Sequence, residues 1–367
     1  MSRAEAQARW HSIWARRGWQ ATILWPLSLL YGALSSGRRR LYTLGIFRTE
    51  RLPVPVIVVG NVVVGGAGKT PTVLALLDHL KARGWTPGVV SRGHGRQGHD
   101  TREVLADTTA DDGGDEPTLI RRASGLPVFV ARHRVQAAQA LLAAHPEVNV
   151  LLCDDGLQHL ALGRDLAIAV FDDRRTGNGW LLPAGLLREP WPPKSGQIYA
   201  PDMVLRQQRE GAGEPGPLAL PDGVAAYWAP RRLADEALGP HGERCALTAL
   251  QGQPLTAVAG IARPEVFFEM LRERGLTLNR TVALPDHAGP EHFRDLLSTS
   301  TGTLLCTEKD AVKLFACLPG LSGNQAPACW AVPLQLRPEA AFFDALDQRL
   351  AALPHARLSS THGHQTA

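Results

Sequence analysis

V-P-V-I-V-V-G-N-V-V-V-G-G-A-G-K-T-P-T-V-L-A-L-L-D-H-L, residues 54–80, decides the fold. A β-branched apolar run (Val54, Val56 to Val59) enters a glycine cluster, and after Lys69-Thr70 the apolar residues Val73, Leu74, Leu76, Leu77 and Leu80 recur at helical spacing. The order is strand, glycine loop, helix. Glycines let successive backbone N–H groups turn inward, and the helix start adds partial positive charge, so the segment makes an anion site from Gly65, Gly66, Ala67, Gly68, Lys69, Thr70 and Pro71. Lys69 is expected to reach the outer phosphates of a nucleotide and Thr70 to give a hydroxyl to Mg²⁺. Pro71 suits a first helical turn, which tolerates a missing N–H. The loop departs from G-x-x-x-x-G-K-[ST], because Val63 stands where the first glycine belongs. A glycine-rich turn with an incidental lysine is the plain alternative.

At 367 residues the chain can bury one large core or two smaller ones. With 44% apolar and 20% charged residues it reads as globular. The net charge of +4 is too weak to argue for nucleic acid but suits an anionic membrane surface. Five scattered cysteines without a C-x-x-C pair argue against a disulfide framework or a zinc site, and for a reducing compartment.

Four of the nine tryptophans (Trp10, Trp14, Trp19, Trp25) lie in the first 25 residues, followed by Ile23 to Leu34 and then Arg38-Arg39-Arg40. Gln20, Pro26 and Ser28 interrupt the apolar stretch, which falls short of the ~20 residues a spanning helix needs. The basic cluster sits on the wrong side for a signal peptide. Rings at headgroup level with flanking arginines describe a helix lying on a membrane surface; packing on the protein's own core is the competing reading.

Beyond the loop, apolar strand patterns (88–91, 128–131, 148–154, 166–172, 203–206) alternate with helical ones (72–83, 116–123, 134–144), as in a doubly wound, mostly parallel α/β sheet. Ligands of such sheets bind at the carboxyl ends of strands. The polar motifs fall there. In S-R-G-H-G (91–95) Arg92 could hold a phosphate, while a structural turn also explains the glycines; in G-D-E-P (114–117) Asp115 reads equally as a helix N-cap. The strand 148–154 ends in Asp154-Asp155, read as carboxylates held toward Mg²⁺ in the Walker-B manner, a strand that simply ends in a polar turn being the alternative. Arg188, in R-E-P (188–190), offers a guanidinium for developing phosphoryl charge, a surface ion pair being the alternative.

Together these motifs make the chain resemble the tetraacyldisaccharide 4′-kinase (lipid A 4′-kinase) family. The resemblance rests on G-N-V-V-V-G-G-A-G-K-T-P (60–71), S-R-G-H-G, G-D-E-P, D-D-G-L-Q-H (154–159), L-P-A-G-L-L-R-E-P (182–190), D-H (286–287) and T-E-K-D-A-V-K (307–313). It implies an ATP- and Mg²⁺-dependent kinase acting on the 4′-hydroxyl of a tetraacyldisaccharide 1-phosphate, at the cytoplasmic face of the bacterial inner membrane. It further implies Asp115 as general base with His287 as partner, Lys69 and Arg188 on phosphate, and Thr70, Asp154 and Asp155 on the metal. Arg92, Glu116, Gln158, His159 and Glu189 are implied as further active-site positions. The family often has tyrosine where His94 stands, which leaves that role open. A nucleotide-hydrolysing switch and a kinase of soluble sugars use the same loop. No obligate protein partner is evident in the sequence. The expected division is a membrane-associating helix (1–40), a P-loop kinase domain (41–225), a smaller α/β domain (226–353) and a disordered tail (354–367).

Overall fold

The computed structural model describes residues 9–10, 12–66, 68–194, 196–213, 216–286, 288–320 and 327–354. Ala67, His287 and all but the first residue of the expected tail lie outside them. The chain forms two sheets. The first has nine strands in the order β15-β8-β7-β6-β1-β5-β2-β4-β3, where β1 is Val56–Gly60, β2 Pro87–Ser91, β3 Arg102–Glu103, β4 Val128–Val130, β5 Val150–Asp154, β6 Leu166–Phe171, β7 Met203–Arg209, β8 Ala225–Leu233 and β15 Leu334–Leu336. All its pairings are parallel except at the edges, β3 with β4 and β15 with β8.

The sheet is doubly wound because its central strands are apolar on both faces: all five residues of β1, and of β5, are buried. On one face the helix Lys69–Ala82 buries Val73, Leu76, Leu77 and Leu80 with Ile57, Val59 and Leu152. On the other, the helix Arg134–Ala144 buries Ala137, Ala138 and Leu141 with Val58, Leu151 and Val90. The strand β1 stands between β5 and β6, in register Val58 to Cys153 and Val58 to Ala167. From β1 the chain moves to one side through β2 and to the other through β6, so the ligand crevice of this architecture opens at the carboxyl end of β1.

The second sheet runs β10-β9-β14-β13-β11-β12, with β9 at Glu236–Leu238, β10 at Arg244–Ala246, β11 at Leu255–Ala259, β12 at Leu278–Ala283, β13 at Thr303–Thr307 and β14 at Ala328–Val332. Its strands therefore come from 236–332. The boundary expected at 225 falls on the first residue of β8, which extends the first sheet beside β7. The chain also returns to that sheet at the end: β15 pairs with β8, and the helix Ala340–Ala351 buries Phe342, Leu346 and Leu350 in the first core. The apolar face of that last helix matches the open face beside β8, which places it there despite its position in the chain.

The amino-terminal helix spans Trp19–Thr43 with Pro26 inside it. Only a narrow stripe (Ala21, Ser28, Arg39) is buried, while Trp19 is 72% and Leu34 67% exposed. Among the described residues no helix is long and apolar enough to cross a membrane.

Candidate active site

The loop after β1 is held from three sides. Val63, at the position of the missing glycine, is fully buried and bridged to Leu187, and the Val64 N–H donates to the Leu186 carbonyl at 2.9 Å. That position therefore continues sheet-like pairing, and the turn begins at Gly65, where φ is +85°. The Arg174 guanidinium donates to the carbonyls of Val64 (3.1 Å) and Gly66 (2.9 Å), and is itself held by Asp172 at 2.8 Å. The Gln207 amide donates to the Gly68 carbonyl (2.8 Å) and the Thr72 hydroxyl (2.6 Å). Gly68, the N-cap of the following helix, has φ +72°, and a Cβ there would lie 1.8 Å from Gln207 Oε1. Both conformation and space demand glycine.

Lys69 opens that helix, with its Nζ 3.5 Å from Asp155 Oδ1. Asp155 follows β5 in a left-handed conformation (φ +49°) and also accepts from Arg188 Nη1 at 3.2 Å. Burial pushes its carboxyl up, but Lys69, Arg188 and Arg134 outweigh burial and hold it below the usual range. Asp154 behaves oppositely. Burial, reinforced by Glu116 and Asp155 against the opposing Lys69, pushes its carboxyl up to about 7. Its Oδ1 is buried without a hydrogen-bond partner among the described residues, and Ser91 Oγ stands 3.5 Å from Oδ2. Two adjacent acids thus have different surroundings: in one the nearby cations outweigh burial, in the other burial outweighs them.

That orphaned oxygen tests the expected metal. Among the described residues no group of three or more histidines, cysteines and acids is placed to hold an ion. Mg²⁺ does not require one, since it keeps waters and takes the rest of its shell from one or two protein groups and substrate phosphates. Asp154, facing the same cleft as Thr70 and the glycine loop, fits such a site.

Asp115 begins the helix Asp115–Ser124, whose N-cap is Gly114 with no side-chain cap bond. Its carboxylate instead meets Lys313 Nζ at 2.9 Å, and is 5% exposed. The capping alternative is thereby overturned: Gly114, at φ +90°, takes the cap position because a Cβ there would press on the Gly93 backbone at 3.0 Å. Lys313 lies on the helix Glu308–Leu314 of the second lobe, and also donates to the Ala288 carbonyl at 3.0 Å. One turn earlier Lys309 is 2.9 Å from Asp286 and 3.9 Å from Glu116. The two lobes therefore meet through lysines of one helix and acids around the start of another.

The cleft between them has a volume of about 1010 Å³. Gly65, Gly66, Gly68, Lys69, Thr70 and Pro71 line it, together with Arg92, His94, Glu116, Asp154, Asp155, Gln158, His159 and Arg188. Second-lobe residues Ile261, Val266, Phe267 and Met270 form an apolar wall. Tyr31, Arg38 and Tyr42 bring the amino-terminal helix to its mouth. Arg38 donates to the Gln158 carbonyl at 3.1 Å and the Tyr31 hydroxyl to the Arg188 carbonyl at 2.9 Å. Burial, then Arg134, Arg38, His133 and Arg92, depress the His159 imidazole to about 4, keeping it neutral. Glu189 faces away from the cleft: it is buried in an ion pair with Arg39, over which the Tyr199 ring lies at 4.8 Å. Of the basic cluster read as a lipid contact, Arg39 is thus spent inside the protein, and Trp14 likewise turns inward to the Pro183 carbonyl at 2.9 Å.

Lys313, Lys309, Arg174 and Gln207 escaped the reading of the sequence as site residues. The lysines carried a signal in their four-residue spacing within T-E-K-D-A-V-K; Arg174 and Gln207 carried none, since each acts on backbone more than 100 residues away in sequence.

A sequence model described as tetraacyldisaccharide-1-P 4′-kinase matches residues 20–351. The chain is 54% identical over 355 residues to a tetraacyldisaccharide 4′-kinase of Polaromonas naphthalenivorans (strain CJ2), covering 96% of this chain and 97% of that one. A tetraacyldisaccharide 4′-kinase of Acidovorax sp. (strain JS42) is also 54% identical, over 357 residues, covering 97% and 96%. Among solved structures the fold is similar to a crystal structure of LpxK from Aquifex aeolicus in complex with ATP. The TM-score there is 0.70 at 27% identity, covering 90% of this chain and 99% of that one.

Proposed function

The chain belongs to the tetraacyldisaccharide-1-P 4′-kinase family, and from that premise we propose that its cleft moves the γ-phosphoryl group of ATP onto the 4′-hydroxyl of a tetraacyldisaccharide 1-phosphate. The observation that carries the reading is the convergence at one strand-end crevice of a glycine loop, Lys69, the orphaned Asp154, and Glu116, whose neighbour Asp115 is buried against Lys313 at the lobe junction.

The backbone N–H groups of Gly65, Gly66, Gly68, Lys69 and Thr70 and the Lys69 side chain bind the phosphates, and Asp155, in contact with both Lys69 and Arg188, holds these two cations beside the group in transit. Asp154 and Thr70 would hold Mg²⁺, which when bound neutralises phosphate charge. A sugar hydroxyl is a poor nucleophile near neutral pH. Asp115 accepts its proton while the new O–P bond forms and the bond from the γ-phosphorus to ADP breaks, an acceleration of roughly 10²- to 10⁴-fold for a placed base. The role of His287 as its partner remains part of the proposal. Gln158, His159 and Arg92 line the sugar side, and neutral His159 offers a hydrogen bond there without adding charge.

The acyl chains are best met by the amino-terminal helix. Trp19, Ile23, Leu27, Leu30 and Leu34 expose an apolar face, larger than scattered surface residues need explain, and Tyr31 and Arg38 of the same helix reach the cleft. On this reading the enzyme works peripherally on a membrane, on the cytoplasmic side where ATP is found, and the exposed apolar face of the helix supports it.

The test is transfer from ATP to detergent-solubilised tetraacyldisaccharide 1-phosphate, with the product's new phosphate located by NMR. A monoester at the 4′ position is expected. ATP hydrolysis indifferent to the lipid, or phosphorylation of a water-soluble sugar instead, would overturn the reading. Vesicle flotation tests the surface: Ile23→Glu with Leu30→Glu should abolish binding to anionic vesicles, and undiminished flotation contradicts it.

A further inference from the structure

The ammonium of Lys313 touches both oxygens of Asp115, Oδ1 at 2.9 Å and Oδ2 at 3.0 Å, and its third contact, the Ala288 carbonyl at 3.0 Å, fixes the ammonium itself. Both side chains are largely buried, 12% and 7% exposed, so water competes little for the pair. An ionised carboxylate offers about four lone-pair positions. Lys313 meets each oxygen once and so sets the plane of the carboxylate. The carboxylate belongs to the first residue of the helix Asp115–Ser124, directly after its N-cap Gly114.

The fixing group arrives from the other lobe. Lys313 projects from the helix Glu308–Leu314, which is anchored by Thr307 capping the Asp310 N–H and by Asp310 accepting from the Gly260 N–H at 3.0 Å. Lys309, on the same face, carries a parallel contact to Asp286 and toward Glu116, and those acids hold its ammonium above the usual range against the opposing effect of burial.

Resting on the reading of Asp115 as the base, we infer that Lys313 is a positioning residue for phosphoryl transfer. It sets the Asp115 carboxylate from the second lobe, so that the base is in place only when the helices Glu308–Leu314 and Asp115–Ser124 lie together. The nucleotide's phosphates are gripped elsewhere, by the loop after β1. Loss of Lys313 should therefore act on turnover and spare ATP binding.

The experiment is steady-state kinetics and direct ATP binding on the full chain, with thermal unfolding alongside. Lys313→Met keeps the aliphatic stem. It is expected to lower kcat by about 10- to 100-fold, the scale of a misplaced reacting group, with ATP Kd changed by less than about twofold. Lys313→Arg should restore part of the loss. In an Asp115→Asn background Lys313→Met should add nothing, because it acts through that carboxylate. An unchanged kcat in Lys313→Met, an equal loss in ATP affinity, or a full additive loss on top of Asp115→Asn would each overturn the assignment. Should Lys313→Met fail to fold, Lys313→Arg carries the same split: lowered kcat with intact ATP affinity supports it, and wild-type kcat overturns it. The underlying reading fails separately, and this inference with it, if Asp115→Asn itself retains wild-type kcat.

Discussion

Asp154 and Asp155 are neighbours in sequence with opposite electrostatic fates, and that contrast is the most informative feature at the residue scale. Asp155 is met by Lys69 and Arg188, while Asp154 is buried with one oxygen unanswered. Asp155→Asn should therefore loosen two cleft-lining cations at once, lowering kcat by about 10²-fold or more, as loss of one preorganised charge contact does; steady-state kinetics checks it. Gly68→Ala puts a methyl onto Gln207 at a left-handed φ, and is expected to weaken ATP binding and cost about 1–3 kcal/mol of stability, read by calorimetry and thermal unfolding. The glycine loop and the acids after β5 were legible in the sequence because each is a local pattern in which a strand ends in a polar turn. The partner of Asp115 was not: Lys313 lies 198 residues away, and a helix-start acid reads locally as a cap until Gly114 is seen to occupy that position.

At the scale of elements, alternation of apolar strands and helices fixed the doubly wound sheet, because strands covered on both faces leave no polar periodicity to confuse with anything else. Leu76 stands at the centre of that arrangement, fully buried between its helix and the sheet. Leu76→Ala is expected to cost about 2–5 kcal/mol in denaturant unfolding. The amino-terminal helix was harder to read, since an apolar run with tryptophans and arginines suits both a membrane surface and a protein groove. It serves the protein with a thin stripe, Ser28 bonding the Leu181 carbonyl at 2.8 Å and Arg39 pairing with Glu189, and leaves the broad face outside. Arg39→Ala would strand the buried Glu189 carboxylate, a change worth about 3–5 kcal/mol, and should also free the helix from the cleft. Glu189→Gln with Arg39→Gln should recover part of that loss in thermal unfolding.

At the scale of the whole molecule the active cleft exists because two lobes close on each other. Besides Lys313 and Lys309, the Arg263 guanidinium of the second lobe donates to both oxygens of Asp173 at 2.8 and 2.6 Å, just beyond β6. Burial pushes the Asp173 carboxyl up, but Arg263 and Arg231 prevail and hold it below its usual value of 3.8. With the folded-state value depressed, this pair's contribution to stability is present above pH 3.8 and is lost as pH falls through the lower folded value. No single segment announced this closure, because the second sheet is an insertion whose chain returns to the first sheet at β15. The pairing of β15 with β8 and the packing of the helix Ala340–Ala351 on the first core reveal it. The central claim, that the cleft closes on ATP with Asp115 as base, is tested most directly by single-turnover phosphoryl transfer to the lipid disaccharide in Asp115→Asn, with ATP Kd measured on the same preparation. The account predicts a loss of roughly 10²- to 10⁴-fold in transfer with ATP affinity unchanged. Equal losses in both, or transfer at the wild-type rate, would contradict it.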